Sequence, residues 1–191
     1  MLAPRKTLWS TPDGVLSTLI SWVQLRPNDV VCDIGCGDGR VLIEWASRQT
    51  HAVAFFGLEI CPERAQQAEN NVKEAYATGI IPSHVQVSIH CANAIDSLHL
   101  YRHATVFFLY LIPRGLRLMK PILFQVAREQ ELTAEQGVPL RVVTYMSPLP
   151  QEMYISKKQC HVDHQPGAAW PLYLYHLYAK TTTGVENKSN S

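Results

Sequence analysis

The sequence predicts a doubly wound α/β fold: a mostly parallel seven-stranded sheet with helices on both faces and an antiparallel hairpin at its carboxyl-terminal end. Three observations carry the prediction. Short β-branched apolar runs alternate along the chain with stretches whose apolar residues recur at helical spacing. Strands separated in this way must be parallel, because a parallel neighbour is reached only through a crossover of a dozen or more residues. The last two β-rich stretches follow one another with no helical pattern between them, which closes the sheet antiparallel. With 191 residues, the length fits one domain, expected over residues 1–180. The tail 181–191 has too little apolar content to fold and is expected to be disordered.

The elements follow in order. From Pro12 to Leu25 the residues Val15, Leu16, Leu19, Ile20 and Val23 make one apolar helical face, with Thr11 as the expected N-cap and Pro12 at the first helical position. Residues 29–34 are a β-branched strand that runs into glycines, and Arg40 to Gln49 carries Val41, Leu42, Trp45 and Ala46 at helical spacing. Ala52 to Ile60 reads as a buried strand. Pro62 to Thr78 reads as a helix opened by proline and closed by Gly79, and Val85 to His90 as a third strand. Ala104 to Leu111 is the fourth strand, Gly115 to Arg128 a helix with Leu116, Met119, Leu123 and Val126 inward, and Leu140 to Met146 the fifth strand. Met153 to Val162 and Leu172 to Ala179 form the closing pair.

Composition excludes several functions. Seventeen basic against sixteen acidic residues leave a net charge of +1, too little for binding nucleic acid by bulk charge. The strongest apolar run, Ala104 to Ile112, is far shorter than the ~20 residues that span a bilayer. The basic start Met1 to Lys6 is followed by no apolar core of a secretory signal. An odd count of five cysteines without regular spacing fits a reducing compartment, so an intracellular, cytoplasmic protein is expected. Cys160-His161-Val162-Asp163-His164 has no partner pair at zinc-site spacing. It reads as an edge strand with polar side chains in water, and no metal is expected.

In a doubly wound sheet ligands bind beyond the carboxyl ends of the strands, where strand order reverses, so the loop after the first strand comes first. It reads Asp33-Ile34-Gly35-Cys36-Gly37-Asp38-Gly39-Arg40. Three alternate glycines let backbone approach a ligand, and the helix that follows presents unpaired N–H groups and a positive dipole end. The dinucleotide fingerprint is Gly-x-Gly-x-x-Gly, and an acid before the first glycine repels a pyrophosphate, so the loop tilts away from NAD. Glu59 stands at the end of the second strand, 20 residues beyond Gly39. That interval suits an acid that accepts from ribose hydroxyls.

The run Val31-Cys32-Asp33-Ile34-Gly35-Cys36-Gly37-Asp38-Gly39-Arg40 resembles motif I of class I S-adenosylmethionine-dependent methyltransferases, and Gly57-Leu58-Glu59-Ile60 resembles their acidic second motif. Thr11-Pro12 before a helix and Phe108-Leu109-Tyr110-Leu111-Ile112-Pro113 after the fourth strand are similar to a smaller group. That group includes the lysine methyltransferases of an ATP-synthase c subunit and compact bacterial relatives. The resemblance implies S-adenosyl-L-methionine as cofactor. Gly35, Gly37 and Gly39 would pass under its methionine portion, Asp33 would meet its ammonium, Glu59 would take both ribose hydroxyls and Ile60 would lie against the adenine. The family usually has an Asp after the third strand; here His90-Cys91-Ala92-Asn93-Ala94 stands there. Asn93, beside Ala94, would accept from the adenine amino group through its carbonyl. Thr11 and Pro12 would border the methionine carboxylate and the substrate entry.

Displacement at a sulfonium methyl needs a lone pair held ~3–3.5 Å from the carbon, so positioning supplies most of the rate. The Leu109 backbone carbonyl, Tyr110 and Pro113 are the expected orienting groups, and His90 a candidate base. Trp9 and Trp170 are candidates for the rim. The Asp/Asn-Pro-Pro-aromatic signature of base and amide methylation is missing, which argues against nucleic acid. A protein lysine amine is the expected acceptor, with a small molecule as the alternative. A partner-binding scaffold and a nicotinamide oxidoreductase complete the readings.

Overall fold

The structure, a computed structural model, describes residues 10–133, 138–161 and 170–178. The elements run α1 (Asp13–Trp22), β1 (Val30–Ile34), α2 (Arg40–Ser47), β2 (Ala54–Glu59), α3 (Pro62–Ala77), β3 (Gln86–Cys91), α4 (Leu98–Tyr101), β4 (Val106–Leu109), α5 (Pro113–Thr133), β5 (Leu140–Tyr145), β6 (Ser156–Cys160) and β7 (Trp170–Leu177). The seven strands form one sheet in the order β3-β2-β1-β4-β5-β7-β6. The first five are parallel, and β7 inserts antiparallel between β5 and β6. The expected doubly wound, mostly parallel sheet with an antiparallel end is present.

Strand order reverses between β1 and β4, where Asp33 pairs in register with Phe108 and Ile34 with Leu109. Both faces are covered, so the central strands are apolar on each side. One face buries Val31, Phe108, Val143 and Tyr145 under α1, α2 and α3; the other buries Cys32, Phe107, Leu109 and Val142 under α4 and α5. At the amino ends of the strands, Arg141 bonds the Asp29 carboxylate, which also accepts from the Thr105 hydroxyl at 2.7 Å. That cluster locks β1, β4 and β5 in register, away from the cleft.

Three expectations change. α1 is capped by the Pro12 backbone, whose carbonyl accepts from Val15 and Leu16, while Thr11 makes no cap bond. The one-turn α4 was missed, since four residues are too few for a helical period to register. Cys160, expected in water, is buried at 1% exposure, because β6 turns it towards α1. Trp9, Asp163, His164 and the tail 181–191 lie outside the described residues. Among the described residues no helix is long and apolar enough to cross a membrane, and no group of His, Cys, Asp and Glu could hold a metal ion.

Candidate functional site

An open cleft sits at the reversal point between β1 and β4. Ser10, Thr11, Asp33, Gly37, Arg40 and Tyr110 are among the residues that line it. The floor is the loop from β1 to α2. Gly35, Gly37 and Gly39 have φ of +81°, +58° and +81°, conformations that side chains rarely tolerate. Gly35 N and Cys36 N donate to the Leu58 carbonyl at 2.7 and 3.1 Å, which pins the loop to β2. At Gly39 a Cβ would come within 3.3 Å of Ala68, so the third glycine also lets α2 and α3 close together. The Asn71 amide fastens α3 to the loop by donating to the Asp38 carbonyl at 2.8 Å.

Two buried acids flank the loop. Glu59, 5% exposed at the end of β2, accepts from Gly37 N at 3.1 Å and from Cys61 N at 2.9 Å. Each oxygen therefore has capacity for one further donor, which suits a vicinal diol. Asp33, 3% exposed, receives no hydrogen bond from any described residue. Its burial, reinforced by the Glu59 and Asp38 carboxylates, pushes its carboxyl up to about 8. A buried acid left without a donor is costly unless a cation or donor joins it. The donor set thus fits an adenosyl amino acid: acceptors for a diol on one side, an unmatched acid for an ammonium on the other.

The structure brings Thr11, Asp33, Gly35, Gly37 and Tyr110 to the cleft. Glu59 joins them through Gly37, while Gly39 supports the loop from below. Ile60, Asn93 and Ala94 follow β2 and β3 and do not line the cleft. The Asn93 amide donates to Asp96 Oδ2 at 2.5 Å, and its carbonyl accepts from Ile95 N at 3.3 Å, which leaves that oxygen capacity for one further donor. Leu109 buries its side chain in the core, and Pro113 is exposed at the first turn of α5. Neither lines the cleft. His90 sits on the edge strand β3, stacked on Phe56, two strands from β1.

Sequence reasoning missed Tyr145. It is fully buried, and its ring centroid lies 4.5 Å from that of Tyr110 and 6.4 Å from that of Trp170. No described residue pairs with its hydroxyl or with the Trp170 indole N–H, and each such orphan costs about 1–3 kcal/mol. Burial, with Tyr110 and Cys160 nearby, pushes the Tyr145 hydroxyl well up, so it stays protonated. An aromatic at the end of a β-branched strand reads as core, and only the fold sets it next to Tyr110.

This fold, with its glycine loop and paired acids at the reversal point, is similar to that of solved methyltransferases. A sequence family described as "Putative methyltransferase" matches residues 27–111, which span β1 to β4. Among curated proteins, the chain is 43% identical over 63 residues to a tRNA1(Val) (adenine(37)-N6)-methyltransferase of Yersinia enterocolitica, covering 33% of this chain and 24% of that protein. It is 33% identical over 69 residues to a protein-lysine N-methyltransferase of Saccharolobus islandicus, covering 36% of this chain and 42% of that protein. The matches thus span less than half the length of either relative. A crystal structure described as an RNA methyltransferase from Salinibacter ruber in complex with S-adenosyl-L-homocysteine superposes with a TM-score of 0.69. Its identity is 23%, and the match covers 92% of this chain and 97% of that one.

Proposed function

We propose that the protein is an S-adenosylmethionine-dependent methyltransferase whose acceptor is an amine nitrogen, that of a protein lysine side chain. The observation that carries the reading is the unmatched Asp33 carboxyl in the cleft, facing a loop held by Glu59. S-adenosylmethionine, when bound, supplies a methyl group on a positively charged sulfur. Glu59 would accept from the ribose hydroxyls, and Asp33 would give up its proton and face the ammonium. Gly35 and Gly37 would leave room for the methionine portion.

The protein's own work is then placement. Thr11 and Ser10 border the cleft from the start of α1, and Tyr110 from the end of β4, so an acceptor enters between them. An attacking amine must be neutral, and aromatic walls that exclude water favour the uncharged form. Similarity to the protein-lysine N-methyltransferase supports the lysine reading. The tRNA adenine methyltransferase supports a second one, the exocyclic amine of an RNA adenine, so the expectation of no nucleic-acid partner is withdrawn. Mass spectrometry of lysate proteins and of digested tRNA, after reaction with a deuterated methyl donor, separates them. Deuterated methyl-lysine supports the first reading; label confined to methyladenosine supports the second, and label only in small molecules refutes both.

A further inference from the structure

On one face of the sheet, at the carboxyl ends of the strands, polar-tipped side chains form a row. Asp33 of β1 aligns with Phe108 of β4, and Tyr110 stands two residues further along the same face. Tyr145 of β5 lies beside Tyr110, and Trp170 of β7 beside Tyr145. Tyr110, Tyr145 and Trp170 pack in the same core cluster as Val15, Leu16 and Leu19 of α1. Thr11, at the entry to that helix, lines the cleft. The row therefore has one end at the methyl-donor side and the other in an aromatic enclosure.

That enclosure holds two polar atoms without a partner among the described residues, the Tyr145 hydroxyl and the Trp170 indole N–H. Native interiors pair such atoms, and those left over mark a place where something else supplies the partner. Tyr145 is 0% exposed, with the half-buried Tyr110 standing between it and the cleft.

We propose that Tyr110, Tyr145 and Trp170 form the acceptor subsite, with Tyr110 as its movable wall and the Tyr145 hydroxyl as the group that accepts a hydrogen bond from the methyl-accepting nitrogen. This rests on the methyltransferase reading. The subsite takes a slender chain ending in an uncharged amine: the rings pack against its methylenes, and the hydroxyl takes one N–H so that the lone pair turns back along the row towards Asp33 and the cofactor side. The nitrogen–methyl bond forms as the sulfur–methyl bond breaks, the sulfur keeps the electron pair, and the proton on the alkylated amine leaves to solvent. The Trp170 N–H donates to a carbonyl of the same acceptor.

The test compares wild type, Tyr145→Phe and Trp170→Phe for methyl transfer to lysate protein, for S-adenosylhomocysteine binding and for melting temperature. Tyr145→Phe should lower kcat/KM at least about tenfold, with S-adenosylhomocysteine affinity within about twofold and a melting temperature equal or higher, since it removes only an orphan hydroxyl. Trp170→Phe should show a smaller loss of the same kind. Unchanged kcat/KM in Tyr145→Phe overturns the subsite. Should wild type transfer no methyl group, the function reading fails, and a second arm decides the subsite alone. Nα-acetyl-lysine N-methylamide at about pH 9, where a few per cent of the amine is neutral, is titrated into the S-adenosylhomocysteine-saturated protein while the Trp170 indole N–H resonance is followed. A shift that Tyr145→Phe abolishes supports the subsite, and no shift in wild type overturns it.

Discussion

Replacing Asp33 by Asn removes the acid that waits unpaired in the cleft. Burial and the Glu59 and Asp38 carboxylates push Asp33 up to about 8, so in the empty site it carries a proton at neutral pH. An ammonium placed beside it favours the carboxylate and pulls the value down, so binding releases that proton. Affinity must then rise with pH and level off above the empty-site value. With about 8 in the empty site and the carboxylate held ionised in the complex, wild type should bind S-adenosylhomocysteine about 50-fold more tightly at pH 8 than at pH 6, about 2.3 kcal/mol. Asp33→Asn has no such proton, so its Kd should stay flat over the same range and exceed the wild-type value at pH 8. Titration calorimetry in two buffers of different ionisation enthalpy counts the proton directly: about one released at pH 6 and about half at pH 8. Stability gives an independent reading. A carboxyl raised from 3.8 to about 8 favours the fold at low pH, and that contribution is lost as pH rises through this window. Empty Asp33→Asn should therefore melt higher than wild type at pH 8. A wild-type Kd without pH or buffer dependence would refute the reasoning.

Glu59→Gln should weaken S-adenosylhomocysteine binding by about 3 kcal/mol, roughly 150-fold, because it loses charge-assisted bonds and sets an amide N–H2 against Gly37 N or Cys61 N; calorimetry showing wild-type affinity would remove Glu59 from the site. Gly37→Val should abolish that binding, since φ of +58° excludes a β-branched residue, and a variant that binds normally would reduce the loop to a structural turn. Gly57→Ala should lower the melting temperature by several degrees, as its Cβ would lie 2.7 Å from Cys36 Sγ and from Ile89 Cδ1; an unchanged melting curve contradicts this packing. Asn93→Asp should leave affinity no better and reduce stability at neutral pH, because it replaces an amide donor 2.5 Å from the Asp96 carboxylate with a second carboxylate. Adding Asp96→Asn should restore the melting temperature, and failure to do so would show that the pair is not the cause.

The glycine loop and Glu59 were legible in the sequence because backbone conformation and charge are local properties: alternate glycines imply positive φ, and an acid closing a buried strand implies a ligand. Strand alternation gave the parallel sheet for the same reason. What was not legible depended on contacts between distant segments. The hold of Asp96 on the Asn93 amide, and of Ile95 N on its carbonyl, comes from the turn after β3. Glu59 read as a ribose ligand alone, whereas it also ties Gly37 and Cys61. His90 ends a strand as expected, but the order β3-β2-β1 carries it to the sheet edge. The pairing of Tyr145 with Tyr110 and Trp170 needs β7 inserted beside β5, a topology that two consecutive β-rich stretches do not specify.

Methyl transfer from S-adenosylmethionine through this cleft is open to direct measurement. The most direct test incubates the purified protein with methyl-tritiated S-adenosylmethionine and cell lysate, with Gly37→Val as the control for non-enzymatic label. Label should enter acid-precipitable protein, grow with time, depend on wild-type enzyme and be suppressed by S-adenosylhomocysteine. Label in every fraction equal to the Gly37→Val control would contradict it.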